Sequence, residues 1–236
     1  MEVVNKVLVK FGFTRSSFDS PGVKVVLGVP GCGKSSCIRE ILRSDSRFEA
    51  YTFGACDNKT VTNCYIKAVP KDFNFDVNGR LIIIDEFQAG PWEDFKPTVI
   101  FGDICQFDGS EDFVPRAHWY SLISHRIGAN ISRFLRDLGF EIESAKPDTL
   151  SFGGLYDTEP EGQVITYCSR VGALLQAHSV NFLNIEECRG RTFEIVTLCL
   201  EDNIISAGDR GKFYLCATRA SSKLIVLTPD ATKPTT

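Results

Sequence analysis

Eight residues near the amino terminus have the types and the spacing of a phosphate-binding loop. Residues 28–35 read GVPGCGKS and satisfy the pattern G-x-x-x-x-G-K-[ST]. Glycines let the backbone N–H groups of such a loop converge on phosphate oxygens, and a helix that begins there adds the positive end of its dipole. The lysine of the pattern contacts the β- and γ-phosphates, and the hydroxyl group ligates Mg²⁺. The sequence therefore predicts that ATP or a similar triphosphate binds at Gly28, Val29, Pro30, Gly31, Cys32, Gly33, Lys34, Ser35 and Ser36.

Two carboxylates follow a run of large aliphatic residues further along the chain. Residues 81–86 read LIIIDE, and an uninterrupted apolar run of this kind is typical of a parallel strand covered on both faces. The carboxyl end of such a strand faces the ligand crevice of an open α/β sheet. We therefore expect Asp85 to hold Mg²⁺ through a water molecule and Glu86 to orient the attacking water. This pair favours hydrolysis of the nucleotide over transfer of its phosphoryl group to an acceptor.

Alternating strands and helices would position these groups. The β-branched run at 23–27 predicts a buried strand ahead of the phosphate loop, and apolar residues at helical spacing predict a helix behind it. Further strands are predicted at 51–54, 61–69, 99–101, 163–167, 193–200 and 223–227, and further helices at 131–138 and 171–183. This alternation indicates an α/β fold with mainly parallel sheets. The acidic segment 108–115, which ends in proline, is the expected boundary between a lobe at 1–115 and a lobe at 116–236.

Composition and charge exclude several classes of protein. The 236 residues, 43% of them hydrophobic, allow two lobes of about 115 residues each. The apolar runs are far shorter than the roughly 20 residues of a membrane span, so direct membrane insertion is not expected, and the amino terminus lacks a signal-peptide pattern. A net charge of −4 excludes a basic tail but leaves room for a local polyanion groove. The nine cysteines include no CxxC pair, which gives no support to a zinc or redox motif.

Several further segments resemble the motifs of a known family. Residues 101–106 read FGDICQ, residues 163–170 read QVITYCSR, residues 187–197 read ECRGRTFEIVT, and residues 214–219 read YLCATR. With the phosphate loop, residues 51–55 and residues 81–87, they resemble motifs I to VI of the superfamily 1 RNA helicases of positive-strand RNA viruses. More narrowly, the chain is similar to the first triple gene block movement proteins of flexuous plant viruses, of the potexvirus and carlavirus type. The resemblance covers nearly the whole chain.

The resemblance implies a minimal core of two tandem RecA-like lobes, with ATP between them and single-stranded RNA across their tops. Motifs I, Ia, II and III would lie in 1–115, and motifs IV, V and VI in 116–236. Gln106 would sense the γ-phosphate, Arg219 would act as an arginine finger across the cleft, and Arg170 would be a second γ-phosphate contact. Arg189, which stands where the family usually has glutamine, and Arg191 are candidate contacts for the RNA backbone.

The same resemblance implies a biological role. Members of this family are expected to be RNA-stimulated ATPases and helicases that move viral RNA between cells, in the host cytoplasm and through plasmodesmata. They are also expected to suppress RNA silencing, and to act with coat protein, two small triple gene block membrane proteins and host silencing factors. The short chain favours a motor of low processivity that self-associates as a homo-oligomer. Two alternatives stay open: an RNA-binding scaffold or silencing suppressor whose ATPase activity is incidental, and a P-loop ATPase that is not a helicase.

Overall fold

Two separate β-sheets organise the chain. The computed structural model describes residues 1–62, 64–70, 79–106 and 115–236, and these form two units, Met1–Leu122 and Ile123–Thr236. Both units combine a sheet with helices, and all strand pairs but one that the structure describes are parallel. The expected α/β fold with mainly parallel sheets is therefore confirmed.

The first unit contains seven described strands and two α-helices. They are α1 (Glu2–Lys10), β1 (Thr14–Arg15), β2 (Lys24–Gly28), α2 (Lys34–Ser44), β3 (Phe48–Thr52), β4 (Lys67–Ala68), β5 (Leu81–Asp85), β6 (Val99–Gly102) and β7 (Trp119–Ser121). The strand order is β1-β7-β2-β6-β5-β3-β4, in which only the β1–β7 pair is antiparallel. The aliphatic strands β2, β5 and β6 lie together in the middle because their side chains are buried on both faces.

The register of these strands brings their carboxyl ends to one edge of the first sheet. Asp85 at the end of β5 lies opposite Thr52 of β3 and Phe101 of β6. Leu27, next to the last residue of β2, lies opposite Gly102 of β6. The loops that follow β2, β3, β5 and β6 therefore leave from neighbouring points, which is where ligands bind in open parallel sheets.

The second unit contains a parallel sheet of five described strands. Its elements are α3 (Ala129–Asp137), β8 (Thr149–Gly154), β9 (Gln163–Ile165), α4 (Ser169–Ala177), β10 (Phe182–Leu183), α5 (Ile185–Cys188), β11 (Phe193–Cys199), α6 (Arg210–Ala217) and β12 (Ala220–Thr228). The strand order is β10-β9-β11-β12-β8. The strands β11 and β12 lie close to the predicted positions 193–200 and 223–227, since long apolar runs are a direct sequence signal for buried strands.

Two predicted elements are wrong in extent. The helix expected over 171–183 ends at Ala177, because Ser179 adopts a left-handed backbone with φ of 58° and Phe182 pairs with Val164 as part of a strand. The strand expected over 61–69 is reduced to Lys67–Ala68 in the described residues. The Ile66 N–H donates to the Asp57 carboxylate at 3.0 Å. This side-chain contact takes the place of a strand pairing, so Ile66 lies in a loop.

The boundary between the units lies beyond the predicted one. Residues 108–114 of the expected boundary segment lie outside the described residues. The strand β7 pairs with β2 and so belongs to the first sheet, which carries the first unit past residue 115 to Leu122. None of the described helices is long and apolar enough to cross a membrane.

Candidate functional site

The phosphate loop joins β2 to α2 and depends on glycine at three places. Gly31 and Gly33 have φ angles of 81° and 98°, which side chains with a Cβ rarely adopt. Gly28 has a different requirement, since a Cβ there would lie 2.4 Å from the Cys32 sulfur. The strand, loop and helix predicted from the pattern are all present, and Gly33 is the N-cap of α2.

Lys34 is buried within its own loop. Its Nζ donates to the carbonyl oxygens of Gly28 at 2.7 Å and Val29 at 3.2 Å, and only 7% of the residue is exposed. Burial opposes the charge, but the neighbouring Cys32 and the carboxylates of the site, Asp103 foremost, raise the pKa of Lys34 above its ordinary value. Lys34 is therefore a fixed cation held beside the loop that carries the anion-binding N–H groups.

Ser35 and Asp85 meet at the end of the aliphatic strand. The Ser35 hydroxyl donates to Asp85 Oδ2 at 3.3 Å, and the Glu86 N–H donates to Asp85 Oδ1 at 3.1 Å. Burial, and then the charge of Glu86, raise the pKa of Asp85 above its ordinary value. A hydroxyl and one carboxylate fit Mg²⁺, which keeps several waters and takes phosphate oxygens in place of a full protein cage. No group of three or more His, Cys, Asp or Glu that could hold a metal ion occurs in the described part of the chain.

A hydrogen-bonded chain of side chains links Glu86 to Gln106. Gln88 Nε2 donates to Glu86 Oε2 at 2.5 Å, and Gln88 Oε1 accepts from the Asp103 N–H at 3.4 Å. Gln106 Nε2 then donates to Asp103 Oδ2 at 2.8 Å. Glu86 itself has a positive φ of 53°, a strained conformation for a residue with a side chain. Sequence reasoning missed Gln88, for which the only signal is its position two residues after the acidic pair.

The segment after β3 approaches the same group. A Cβ on Gly54 would lie 3.1 Å from Glu86 Cγ, and the Gly54 N–H donates to Thr52 Oγ1 at 2.9 Å. The region predicted as motif Ia therefore borders the acidic edge. The first unit thus gathers every site residue predicted in it at the carboxyl edge of its sheet.

In the second unit, Arg219 lies at the start of β12. Only 3% of the residue is exposed. Its Nε donates to Leu215 O at 2.9 Å and its Nη1 to Arg191 O at 3.2 Å, while its own carbonyl accepts from the Phe193 N–H at 2.9 Å. The segments predicted as motifs V and VI therefore meet at the amino ends of β11 and β12.

Arg126 is a second cation at this edge, and sequence reasoning missed it. It precedes α3, is half-buried, and its Nη1 donates to the carbonyl oxygen of Thr218 at 3.4 Å. This contact joins residues 92 positions apart, so no local pattern reveals it. The available signal is an arginine placed shortly before Gly128 and an amphipathic helix.

Arg170, the other arginine expected to contact the γ-phosphate, lies apart from Arg219 in the second unit. It stands in the first turn of α4, after the carboxyl end of β9, and its Nη1 pairs with Glu201 Oε1 at 2.5 Å. Glu201 follows the carboxyl end of β11. Arg170 and Arg219 thus occupy opposite edges of the second sheet, and 84% of the Arg170 side chain is exposed.

The two arginines expected to contact RNA lie in the loop between α5 and β11, where the Arg191 carbonyl accepts from Arg219. Arg189 follows α5 and is half-buried, and Arg191 is exposed. The Arg191 guanidinium lies 5.2 Å from the centre of the Phe193 ring. An exposed cation beside an aromatic ring is a combination that single strands of nucleic acid use.

Comparisons with known proteins agree with these features. Residues 24–228 match the viral superfamily 1 RNA helicase core domain. The chain is 42% identical over the full length of both chains to the movement and silencing protein TGBp1 of Chrysanthemum virus B. It is 39% identical to that of Poplar mosaic virus and 38% identical to that of Lily symptomless virus, over 98% of each chain.

Solved structures show the same fold. An arterivirus nonstructural protein 10 helicase in complex with DNA matches 97% of this chain with a TM-score of 0.55 and 20% identity. The PRRSV helicase matches 98% with a TM-score of 0.54 and 16% identity. The chain spans only 57% and 55% of those two proteins, so the likeness concerns the fold of a shared core. The match over residues 24–228 and the full-length relatives show that the chain belongs to the viral superfamily 1 RNA helicases, in the group of the TGBp1 movement and silencing proteins.

Proposed function

We propose that the chain is an RNA-stimulated ATPase and RNA helicase that acts as a plant-virus movement protein. The observation that carries this proposal is the cluster of Lys34, Ser35, Asp85 and Glu86 at one edge of the first sheet. A buried cation, a hydroxyl and two carboxylates around a glycine loop are what hydrolysis of a Mg²⁺-bound triphosphate requires.

The roles of these residues follow from their contacts. Lys34 would exchange the carbonyls of its own loop for the β- and γ-phosphate oxygens, and Ser35 and Asp85 would hold Mg²⁺, Asp85 through water. Mg²⁺ bound there would supply positive charge to the phosphate oxygens. Glu86 orients the attacking water and accepts its proton as the water oxygen bonds to the γ-phosphorus. The bond between the γ-phosphorus and the bridging oxygen breaks, and ADP and inorganic phosphate leave. Gln88 and Gln106 fix the position of Glu86 and of Asp103.

The second unit supplies arginine in this proposal. We assign the arginine-finger role to Arg219 and a supporting phosphate contact to Arg126, because the two lie at one edge of the second sheet. Arg170 has no such role, given its exposed pairing with Glu201. Residues up to Leu122 would form the lobe with motifs I, Ia, II and III, and the remainder the lobe with motifs V and VI.

The biological part of the proposal rests on the relatives. Proteins that are 38 to 42% identical over at least 98% of both chains are called movement and silencing proteins, which supports roles in cell-to-cell movement of viral RNA and in suppression of silencing. Single-stranded RNA would contact Arg189 and Arg191. Coat protein, the two small triple gene block membrane proteins, host silencing factors and further copies of the chain are the proposed partners, in the host cytoplasm and at plasmodesmata.

The catalytic assignment is tested with Lys34→Ala and Glu86→Gln, using Lys6→Ala as an exposed control. Both ATP binding and phosphate release should be lost in Lys34→Ala. Glu86→Gln should still bind ATP, but its rate of hydrolysis should fall by about a hundredfold or more, since a general base contributes on the order of 10² to 10⁴ in rate. Undiminished hydrolysis in Lys34→Ala would remove the basis of the proposal.

A further inference from the structure

The amino-terminal segment lies against the phosphate loop although it is outside the region that matches the family, residues 24–228. The helix α1 packs beside α2, and Lys10 Nζ pairs with Glu40 Oε1 at 2.6 Å. The ring of Phe11 lies 3.4 Å from the position that a Cβ would take on Gly33, and the ring of Phe13 lies at the same distance from that on Gly28. Two aromatic rings therefore border the loop that would hold the triphosphate.

The two rings differ in exposure. Phe13 is only 5% exposed and belongs to the core, whereas Phe11 is half-buried. The backbone around Phe11 is fixed: its N–H donates to Val7 O at 3.0 Å at the end of α1, and the Phe13 N–H donates to Leu8 O at 3.0 Å. Phe11 therefore presents part of a ring to solvent from a position that does not depend on a flexible tail.

The geometry of α2 relates this ring to the path of a nucleotide. Residues 36 and 40 of α2 lie on one face of a helix with 3.6 residues per turn, and Gly33 caps the amino end of that helix. Phe11 borders the capping Gly33, and Lys10 pairs with Glu40. Ser36, between Gly33 and Glu40, is exposed in the first helical turn. If Lys34 and Ser35 take the terminal phosphates, the next free N–H, that of Ser36, is available to the α-phosphate. A ribose and base attached to that phosphate would then run along the side of α2 that Phe11 borders.

We propose that Phe11 is the platform on which the base of the bound nucleotide stacks, and that it favours purines because their two fused rings overlap it more fully. This inference rests on the proposed function, since it takes the phosphate loop as the site of a triphosphate. Stacking on an aromatic ring needs no hydrogen-bond pattern. Phe11 therefore sets affinity for the base and leaves binding of the phosphates unchanged.

The test measures binding of ATP, UTP and inorganic tripolyphosphate, each with Mg²⁺, by calorimetry. The variants are Phe11→Leu, which keeps apolar packing beside Gly33, Phe11→Tyr, which keeps the ring, and Val9→Ala, an exposed apolar control in the last turn of α1. We expect Phe11→Leu to weaken ATP binding about tenfold, the loss expected for one stacking contact. Tripolyphosphate binding should not change, the preference for ATP over UTP should narrow, and Phe11→Tyr and Val9→Ala should behave as wild type.

Two results would overturn the inference while leaving the proposed function intact. One is unchanged ATP affinity in Phe11→Leu. The other is an equal loss of ATP and tripolyphosphate binding in that variant, which would make Phe11 a support for the loop alone. By contrast, failure of the wild-type chain to bind ATP, or ATP binding that Lys34→Ala leaves unchanged, would refute the proposed function itself and the inference with it.

Discussion

Replacing Arg126, Arg170 and Arg219 one at a time distinguishes a phosphate contact at the amino edge of the second sheet from one at its carboxyl edge. The strand β11 has seven residues, and at about 3.3 Å per residue it places the two edges of the sheet roughly 20 Å apart. Arg219 and Arg126 stand at the amino edge and Arg170 at the carboxyl edge. One phosphoryl group cannot contact arginines at both edges.

The expected effects differ by orders of magnitude. An arginine finger contributes on the order of 10³ or more to the rate of phosphoryl transfer, and lysine replaces its forked geometry poorly. We therefore expect Arg219→Lys to lower kcat by about a hundredfold or more and Arg126→Lys to lower it less. Arg170→Ala removes only a solvent-exposed ion pair with Glu201, of the kind that contributes little, so kcat should stay within about twofold of wild type.

The assay is steady-state phosphate release, with kcat and KM determined separately and thermal unfolding recorded for each variant. The unfolding control matters because the buried Arg219 also holds the carbonyls of Leu215 and Arg191. A variant with an unchanged melting temperature and a lowered kcat has lost a contact to the reacting phosphate. If Arg170→Ala lowered kcat as far as Arg219→Lys, the placement of the phosphate contacts at the amino edge would be wrong.

Three further predictions concern the first unit. His118 Nδ1 accepts a hydrogen bond from the Val25 N–H at 3.1 Å, and burial lowers the pKa of His118. The neutral imidazole therefore stabilises the folded state fully above about pH 6.5, and this stabilisation declines as the pH falls from there toward the lowered folded-state pKa. His118→Asn, which keeps an acceptor, should flatten the fall in melting temperature between about pH 7 and pH 5, and an equally steep fall would speak against this role. Arg39→Lys should lose the two-pronged ion pair with Asp57 and lower the free energy of unfolding by about 1 kcal/mol or less in urea titrations; a gain in stability would contradict it. Gly102→Ala places a Cβ 2.5 Å from the Phe87 ring in the turn after β5, so thermal melting should show a free energy of unfolding lowered by about 1 to 3 kcal/mol. An unchanged melting temperature would mean that the turn moves aside without cost.

The parts of the site that the sequence predicts are those encoded by contiguous residues. The glycine loop, Lys34 and Ser35 form one pattern between a strand and a helix, and the aliphatic run before Asp85 reports a doubly buried strand. Parallel strands then bring these two segments to the same edge without further information. This is why the part of the site in the first unit could be predicted from local sequence patterns alone.

The remaining features depend on tertiary contacts. Arg126 meets Thr218 across 92 positions, and nothing in either segment encodes that pairing. Arg170 follows a strand as a phosphate ligand would, yet its strand ends at the other edge of the sheet. The predicted helix over 171–183 is too long, because apolar residues continue past Ala177. In the structure, the left-handed Ser179 ends the helical path, and the chain continues into the strand at Phe182.

The coupling of ATP hydrolysis to single-stranded RNA is the most direct test of the proposed function. Phosphate release is measured for the wild-type chain and for Lys34→Ala, with and without saturating single-stranded RNA, after RNA binding by both proteins has been verified. We expect RNA to raise the wild-type rate several-fold or more and to leave Lys34→Ala inactive. A wild-type rate that bound RNA does not change would contradict the helicase assignment and favour an RNA-binding scaffold with incidental ATPase activity.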